Sequence, residues 1–317
     1  MRPTEASARP RIVLAGATAC EILRTAESLA VFAVFERSLY LGTPSGDLVC
    51  LGNADLAPGP LMALCAPWPE PHRLPAAGSP VRMTPFGFLL EGRPYDLTGV
   101  QIWTPPPFPA PDLGLLGTAL KRVASMPVPG ETGLAALLKA TYNPLLATWP
   151  PASGAEGAEG LFLREAGKGF TCMRAWLASG EPGPTADCEN GVRALLGLGP
   201  GLTPSGDDAL AGMLLALHAL RLDDQCACLD GVVARLAPEA TNAISRAHLR
   251  AAASGQGAAP VHAAIHALME GGGRLDLAAA ALSQIGHSSG WDTFTGIVLT
   301  LSAWLDAQAG GGFSQAR

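Results

Sequence analysis

Gly197-Leu198-Gly199-Pro200-Gly201-Leu202-Thr203-Pro204-Ser205-Gly206-Asp207-Asp208 runs straight into the apolar stretch Ala209 to Leu220. Glycines, prolines, hydroxyls and two adjacent carboxylates in twelve residues mark a tight loop, and the apolar stretch after them marks a helix. A glycine-rich turn feeding a helix start can hold a small anionic ligand, because the first amides of a helix point out of it with the positive end of its dipole.

The loop has an echo. Ser205-Gly-Asp-Asp208 with Gly212 and Leu217 reads Ser-Gly-x-Asp-x-x-x-Gly-x-x-x-x-Leu, and so does Ser289-Gly-Trp-Asp292 with Gly296 and Leu301. Both copies fall at expected helix starts, with the serine as N-cap and the aspartate in a capping-box arrangement. Gly212 and Gly296 share a helix face with Asp208 and Asp292 by i, i+4 spacing. A helical glycine costs about 1 kcal/mol relative to alanine. Close backbone approach would offset that cost, so the two helices are expected to pack tightly. Ser205, Asp208, Ser289 and Asp292 are then expected near one pocket.

From the echo outward, helices are expected over 187–196, 207–221, 225–236, 240–254, 260–270, 275–285 and 290–309, with further helical patterns over 113–124 and 132–142. Residues 161–164 and 170–177 carry weaker patterns, and Pro150 to Gly160 reads as a low-complexity loop. Ahead of the proline run Thr104 to Asp112, the chain is strand-like. Leu29–Phe35, a hairpin about Gly42-Thr-Pro-Ser-Gly46, Leu61–Cys65, Val81–Thr84, Phe86–Leu90 and Gln101-Ile-Trp103 are the strand candidates. The fold class is therefore α+β: a β-rich domain over 1–110, a small antiparallel sheet or barrel, then an α-helical domain over 111–317 carrying the glycine loop.

Of 317 residues, 48% are hydrophobic and 15% charged, which suits a core-rich globular chain and not a disordered one. The net charge of −6 offers no general attraction to nucleic acid or anionic membrane. Seven scattered cysteines without a Cys-x-x-Cys suit reduced thiols in the cytoplasm. The short apolar run Ile12 to Ala19 before Cys20 faintly resembles an export signal but reads as part of the fold. No stretch is long enough to span a membrane.

The chemistry falls on a few residues. His287, Asp208 and Asp292 are the catalytic candidates: the histidine as a proton carrier, the aspartates orienting N–H groups or a cation. Gly199, Gly201 and Gly206 would offer backbone amides to oxyanions. Thr203, Ser205, Asp207, Ser288 and Ser289 complete the two loops. Thr241, Ser245 and His248 share a helix face that would form a polar wall of the same pocket, with Arg246 or Arg250 engaging an anion. The blander reading makes both loops helix caps and Arg246 a solvated side chain. His262-x-x-x-His266 lacks an acidic third ligand and reads as a helix face, not a metal site. No Gly-Lys-Ser/Thr ending, no dinucleotide glycine spacing and no Gly-x-Ser-x-Gly elbow is present, which argues against ATP, NAD and a serine nucleophile. No organic cofactor and no metal is assigned, and a divalent cation beside the aspartates is left open.

The stretch Gly197–Gly212, with Thr241-Asn-Ala-Ile-Ser245 and Ile285-Gly-His-Ser-Ser-Gly-Trp-Asp292, resembles the AllH subunit family of oxamate carbamoyltransferase, with Trp291 as a departure. The likeness extends over most of the chain and includes Gln101-Ile-Trp103. It implies a part in the phosphorolysis of oxalurate to oxamate and carbamoyl phosphate in allantoin and purine nitrogen catabolism. It also implies FdrA-like and AllG-like partner subunits, and it allows a homo-oligomer. The alternative is a non-catalytic ligand-binding or scaffold subunit. The site residues above come from the local reading and not from the family.

Overall fold

The computed structural model describes residues 10–70, 72, 74–128, 133–138 and 157–309. The chain divides into two compact units, Met1–Pro105 and Pro106–Arg317.

The first unit is a β-barrel. Its strands are β1 (Arg11–Gly16), β2 (Leu29–Val34), β3 (Ser38–Gly42), β4 (Leu48–Asn53), β5 (Met62–Ala66), β6 (Pro80–Thr84), β7 (Gly87–Leu90), β8 (Arg93–Asp96) and β9 (Gln101–Trp103), with helix α1 (Ala17–Thr25) between β1 and β2. Eight strands close in the order β5-β4-β3-β2-β6-β7-β8-β1, with β1 returning to β5, and β9 runs parallel to β1. The apolar run read as part of the fold is therefore the strand that closes the barrel, with Ile12 against Cys65 and Ala15 against Ala63. The expected hairpin forms between β3 and β4. β8 carries Pro94 and two charged residues and gave no strand signal. The interior is filled by Ile12, Leu39, Leu41, Leu51 and Phe88, whose ring stacks on Tyr95 at 4.9 Å.

The second unit is helical among its described residues: α2 (Leu113–Ser125), a 3₁₀ turn (Gly133–Leu137), α3 (Ala158–Ser179), α4 (Ala186–Leu195), α5 (Ser205–Leu220), α6 (Asp223–Ala240), α7 (Ala243–Ala253), α8 (Ala259–Met269), α9 (Leu275–Leu282) and α10 (Ser289–Ala309). Where two weak patterns stood at 161–164 and 170–177, one 22-residue helix, α3, runs through Gly160, Gly167 and Gly169. Of the pattern over 132–142, only 133–138 lies within the described residues, and 150–156 of the low-complexity stretch also lies outside them.

α5 is apolar on nearly all sides, and every residue in it except Ala211 and His218 is buried. Such a helix belongs at the centre of a core. Its main partner is α10, and the two meet at their glycines. A Cβ on Gly212 would lie 2.0 Å from the Thr293 carbonyl oxygen, and one on Gly296 would lie 2.0 Å from that of Ala209. Each glycine thus receives the backbone one turn into the other helix. Alanine at either place would force the helices apart along their buried contact.

Gly212→Ala and Gly296→Ala are each expected to cost about 3 kcal/mol, the upper end for an overpacked core, because the obstacle is backbone and cannot move aside. Gly231→Ala, where a Cβ meets nothing within 4 Å on α6, should instead raise stability by up to about 1 kcal/mol through helix propensity. Urea denaturation of the three variants checks this ordering.

Candidate functional site

The two helix starts are built alike. Leu198 N donates to Leu195 O at 2.9 Å, and Ile285 N to Leu282 O at 3.0 Å. Gly206 N then donates to Leu198 O at 2.9 Å, and Gly290 N to Ile285 O at 3.3 Å. Asp208 N and Asp292 N close on Pro204 O and Ser288 O at 3.1 and 2.9 Å. A Cβ on Gly206 or Gly290 would strike the Leu195 or Leu282 carbonyl oxygen, at 1.9 and 2.1 Å. The repeat is therefore longer than the Ser-Gly-x-Asp signature. It covers α4 with α5 and α9 with α10, and takes in Ala194-Leu-x-x-Leu-Gly199 against Ala281-Leu-x-x-Ile-Gly286. The first copy carries three extra residues, Pro200-Gly201-Leu202, which shift the offset from 87 (Leu195 to Leu282) to 84 (Ser205 to Ser289).

Two expectations about these starts need correction. The serine is not the N-cap: Pro204 precedes α5 without any side-chain cap, and Ser205 is its first helical residue. The capping box does not form, because Asp208 faces Thr203 instead of the helix's first amide. The Gly206 amide is also spent on Leu198 O, which leaves it no proton for an oxyanion.

The polar side chains cross between the copies. The Thr203 hydroxyl reaches Asp208 Oδ2 at 3.0 Å and the Ser289 hydroxyl at 3.0 Å. Ser289 also hydrogen-bonds Asp208, while Ser205, with Ser288, stands beside Asp292. The expected meeting of Ser205, Asp208, Ser289 and Asp292 is thus what the fold produces. Burial pushes the carboxyls of both Asp208 and Asp292 up from their ordinary range, and the Asp292 charge pushes Asp208 further. Among the described residues no lysine or arginine contributes to either group.

Asp292 is fully buried. Its Oδ1 accepts from Leu134 N at 2.6 Å, across 158 positions of sequence. Its Oδ2 has no hydrogen-bond partner among the described residues, although the Ser205 and Ser288 hydroxyls close by lower the pKa. Gly133, with φ of 65°, lies over the carboxylate, and a Cβ there would sit 2.4 Å from Oδ1. Gly133 and Leu134 are the members of the cluster that sequence reasoning missed.

Asp207 faces away from this cluster. Its Oδ1 accepts from Gly197 N at 2.6 Å, and its Oδ2 from Ser245 Oγ at 2.5 Å and from the Thr241 hydroxyl. Thr241 ends α6 and Ser245 lies in the first turn of α7, so Asp207 ties the glycine loop to that corner. Asn242 caps α7 and donates to Leu202 O at 2.8 Å. Arg246 donates to Thr241 O at 3.0 Å. The expected polar wall therefore holds the loop from behind. Trp291 takes the place of Asp207 in the second copy and ties back to Ser283 Oγ at 2.9 Å.

Gly199 and Gly201 hold left-handed backbone, with φ of 109° and 107°. Gly201 is exposed, and His287 is exposed on the turn before α10. Among the described residues, no hydrogen bond or ion pair joins His287 to either aspartate. His262 stacks on Phe108 at 4.9 Å and accepts from Gly257 N at 3.0 Å. Among the described residues no three His, Cys, Asp or Glu come together as a metal cluster, and all seven cysteines are free.

A barrel followed by a helical unit that carries a duplicated helix start defines an α+β protein with one polar cluster at paired helix N-termini. Residues 195–301 match the model of the family described as oxamate carbamoyltransferase subunit AllH. The match spans both helix starts and supports the AllH-like assignment of the chain, whose name denotes a subunit of that enzyme. No solved structure matches the chain. No helix among the described residues is long and apolar enough to cross a membrane.

Burial and the neighbouring His266 hold the pKa of His262 down at about 4. The unfolded chain therefore takes up this proton first, near pH 6.5. The stability that neutral His262 contributes is complete above 6.5 and is lost as pH falls from there towards 4, up to about 3 kcal/mol. His262→Gln should flatten this acid limb in denaturation curves recorded between pH 4 and 7.

Proposed function

We propose that the chain is the subunit of an oxamate carbamoyltransferase that binds the small substrate, at the loops 197–208 and 286–292. The observation that carries the reading is the meeting of two equivalent helix starts at a buried carboxylate with an open oxygen. Two helix N-termini favour the anionic end of a ligand. Ser205, Ser289 and Ser288 would supply hydroxyls, and Gly199 and Gly201 would offer backbone amides. Asp208 and Asp292 face the ligand's electropositive side, an N–H group or a bound cation. Oxalurate, oxamate and carbamoyl phosphate each carry an anionic end and an amide end, which is the pairing such a cluster suits.

In the phosphorolytic direction, a phosphate oxygen bonds to the carbamoyl carbon of oxalurate. The carbon–nitrogen bond to the oxamate half breaks, and the proton of hydrogen phosphate ends on the oxamate nitrogen. No covalent enzyme intermediate is required, so orientation and charge stabilisation can supply the rate. His287, on the turn beside Ser288, would carry that proton. FdrA-like and AllG-like subunits would complete the enzyme, in allantoin and purine nitrogen catabolism in the cytoplasm.

The test is phosphate-dependent turnover of oxalurate by the chain with its partner subunits. Ser205→Ala and Asp292→Asn should each lower kcat/KM by about 10²-fold or more, of the order of one lost oxyanion donor, with Tm followed in parallel. Full activity in both folded variants would favour the scaffold reading, in which the loops grip a partner and the chemistry lies elsewhere.

A further inference from the structure

The charge balance of the cluster is unfinished. Asp208 and Asp292 are both buried, and the charge of one acts on the other. Among the described residues no basic side chain contributes to either. Among the described residues no hydrogen bond closes on buried Asp292 Oδ2, although the Ser205 and Ser288 hydroxyls stand beside the carboxyl, while its other oxygen is fixed by Leu134 N. A buried polar atom without a partner is costly, and a fold keeps one where something binds it. Burial favours the protonated form of both carboxyls, and a bound cation would stabilise their ionised forms. A neutral amide would do so less, and an anionic ligand would oppose it.

We infer that Asp208 and Asp292 hold a hard divalent cation of the Mg²⁺ or Mn²⁺ kind, with hydroxyls of Ser205, Ser289 and Thr203 around it. The donors are all oxygen, which suits these ions and not a soft metal. Two carboxylates match the charge of one divalent ion, and such a site keeps open positions that water or a ligand oxygen fills. The set has two carboxylates and no histidine or cysteine. For its purpose the inference rests on the carbamoyl-transfer reading: the ion would let a site lined by carboxylates accept an anionic substrate. Its geometry does not depend on that reading.

The experiment is titration of the full chain with Mn²⁺ alone, without substrate, following free Mn²⁺ by electron paramagnetic resonance. The expected result is one Mn²⁺ per chain, displaced by Mg²⁺, with affinity at least tenfold weaker in Asp292→Asn and in Asp208→Asn. Asp276→Asn, which removes an exposed carboxylate, should bind as the wild type does. Thr203→Ala, a milder change, should weaken binding in a chain that remains folded. Absence of binding by the wild-type chain up to millimolar Mn²⁺ overturns the inference, as does binding that Asp292→Asn and Thr203→Ala both leave intact. Phosphate-dependent turnover that survives exhaustive chelation would also overturn it while leaving the carbamoyl reading standing. Mn²⁺ bound as expected by an enzyme without such turnover would do the opposite.

Discussion

The reciprocal contact of α5 and α10 at Gly212 and Gly296 is the constraint from which the helical unit follows. Each helix lies against the other's backbone at a point where no Cβ fits. Both glycines sit on the second turn, so the contact places the two helix starts beside each other. Gly206 and Gly290 then hold each start against the end of the helix before it, at Leu195 and Leu282. Four glycines thus determine where two serines and two aspartates meet. The helix-propensity cost of each, about 1 kcal/mol, is small beside the burial that the close crossing permits around Leu210, Met213, Ile297 and Leu301.

Electrostatics gives this meeting point its character. Each aspartate sits in the first turn of its helix, where the dipole favours negative charge by about 0.3–1 kcal/mol. That is small against the desolvation of two carboxylates in one buried cluster. Both therefore hold their protons above the ordinary carboxylate range. The copies are alike in backbone and unlike in side-chain supply. Thr203, just after the three-residue insertion, serves Asp208, whereas the Leu134 amide serves Asp292 and leaves one oxygen open among the described residues. A duplicated helix start has in this way become an asymmetric site.

The parts of this arrangement visible in the sequence were those with fixed local spacing. The Ser-Gly-x-Asp echo and its i+4 glycines were legible because a helix preserves spacing, and the helix pairing follows from them. The earlier half of the repeat was hidden because Pro200-Gly201-Leu202 breaks the offset. Pairing of Gly133 and Leu134 with Asp292 leaves no sequence signal, since a backbone amide has no side-chain identity and the partners lie far apart in the chain. Three glycines obscured α3, and Pro94 with its charged neighbours obscured β8. The role of Asp207 was misplaced because adjacent carboxylates look equivalent in sequence, while on a helix they point about 100° apart. One meets Asp292's cluster and the other meets Thr241 and Ser245.

The central claim is that two helix starts form one binding site. A double-mutant cycle on oxamate affinity, with Ser205→Ala, Ser289→Ala and the double variant measured by calorimetry on the assembled enzyme, tests it most directly. Side chains that share one ligand should give losses that are coupled by about 1 kcal/mol or more. Losses that add within about 0.5 kcal/mol, or affinity that neither substitution changes, would contradict the account.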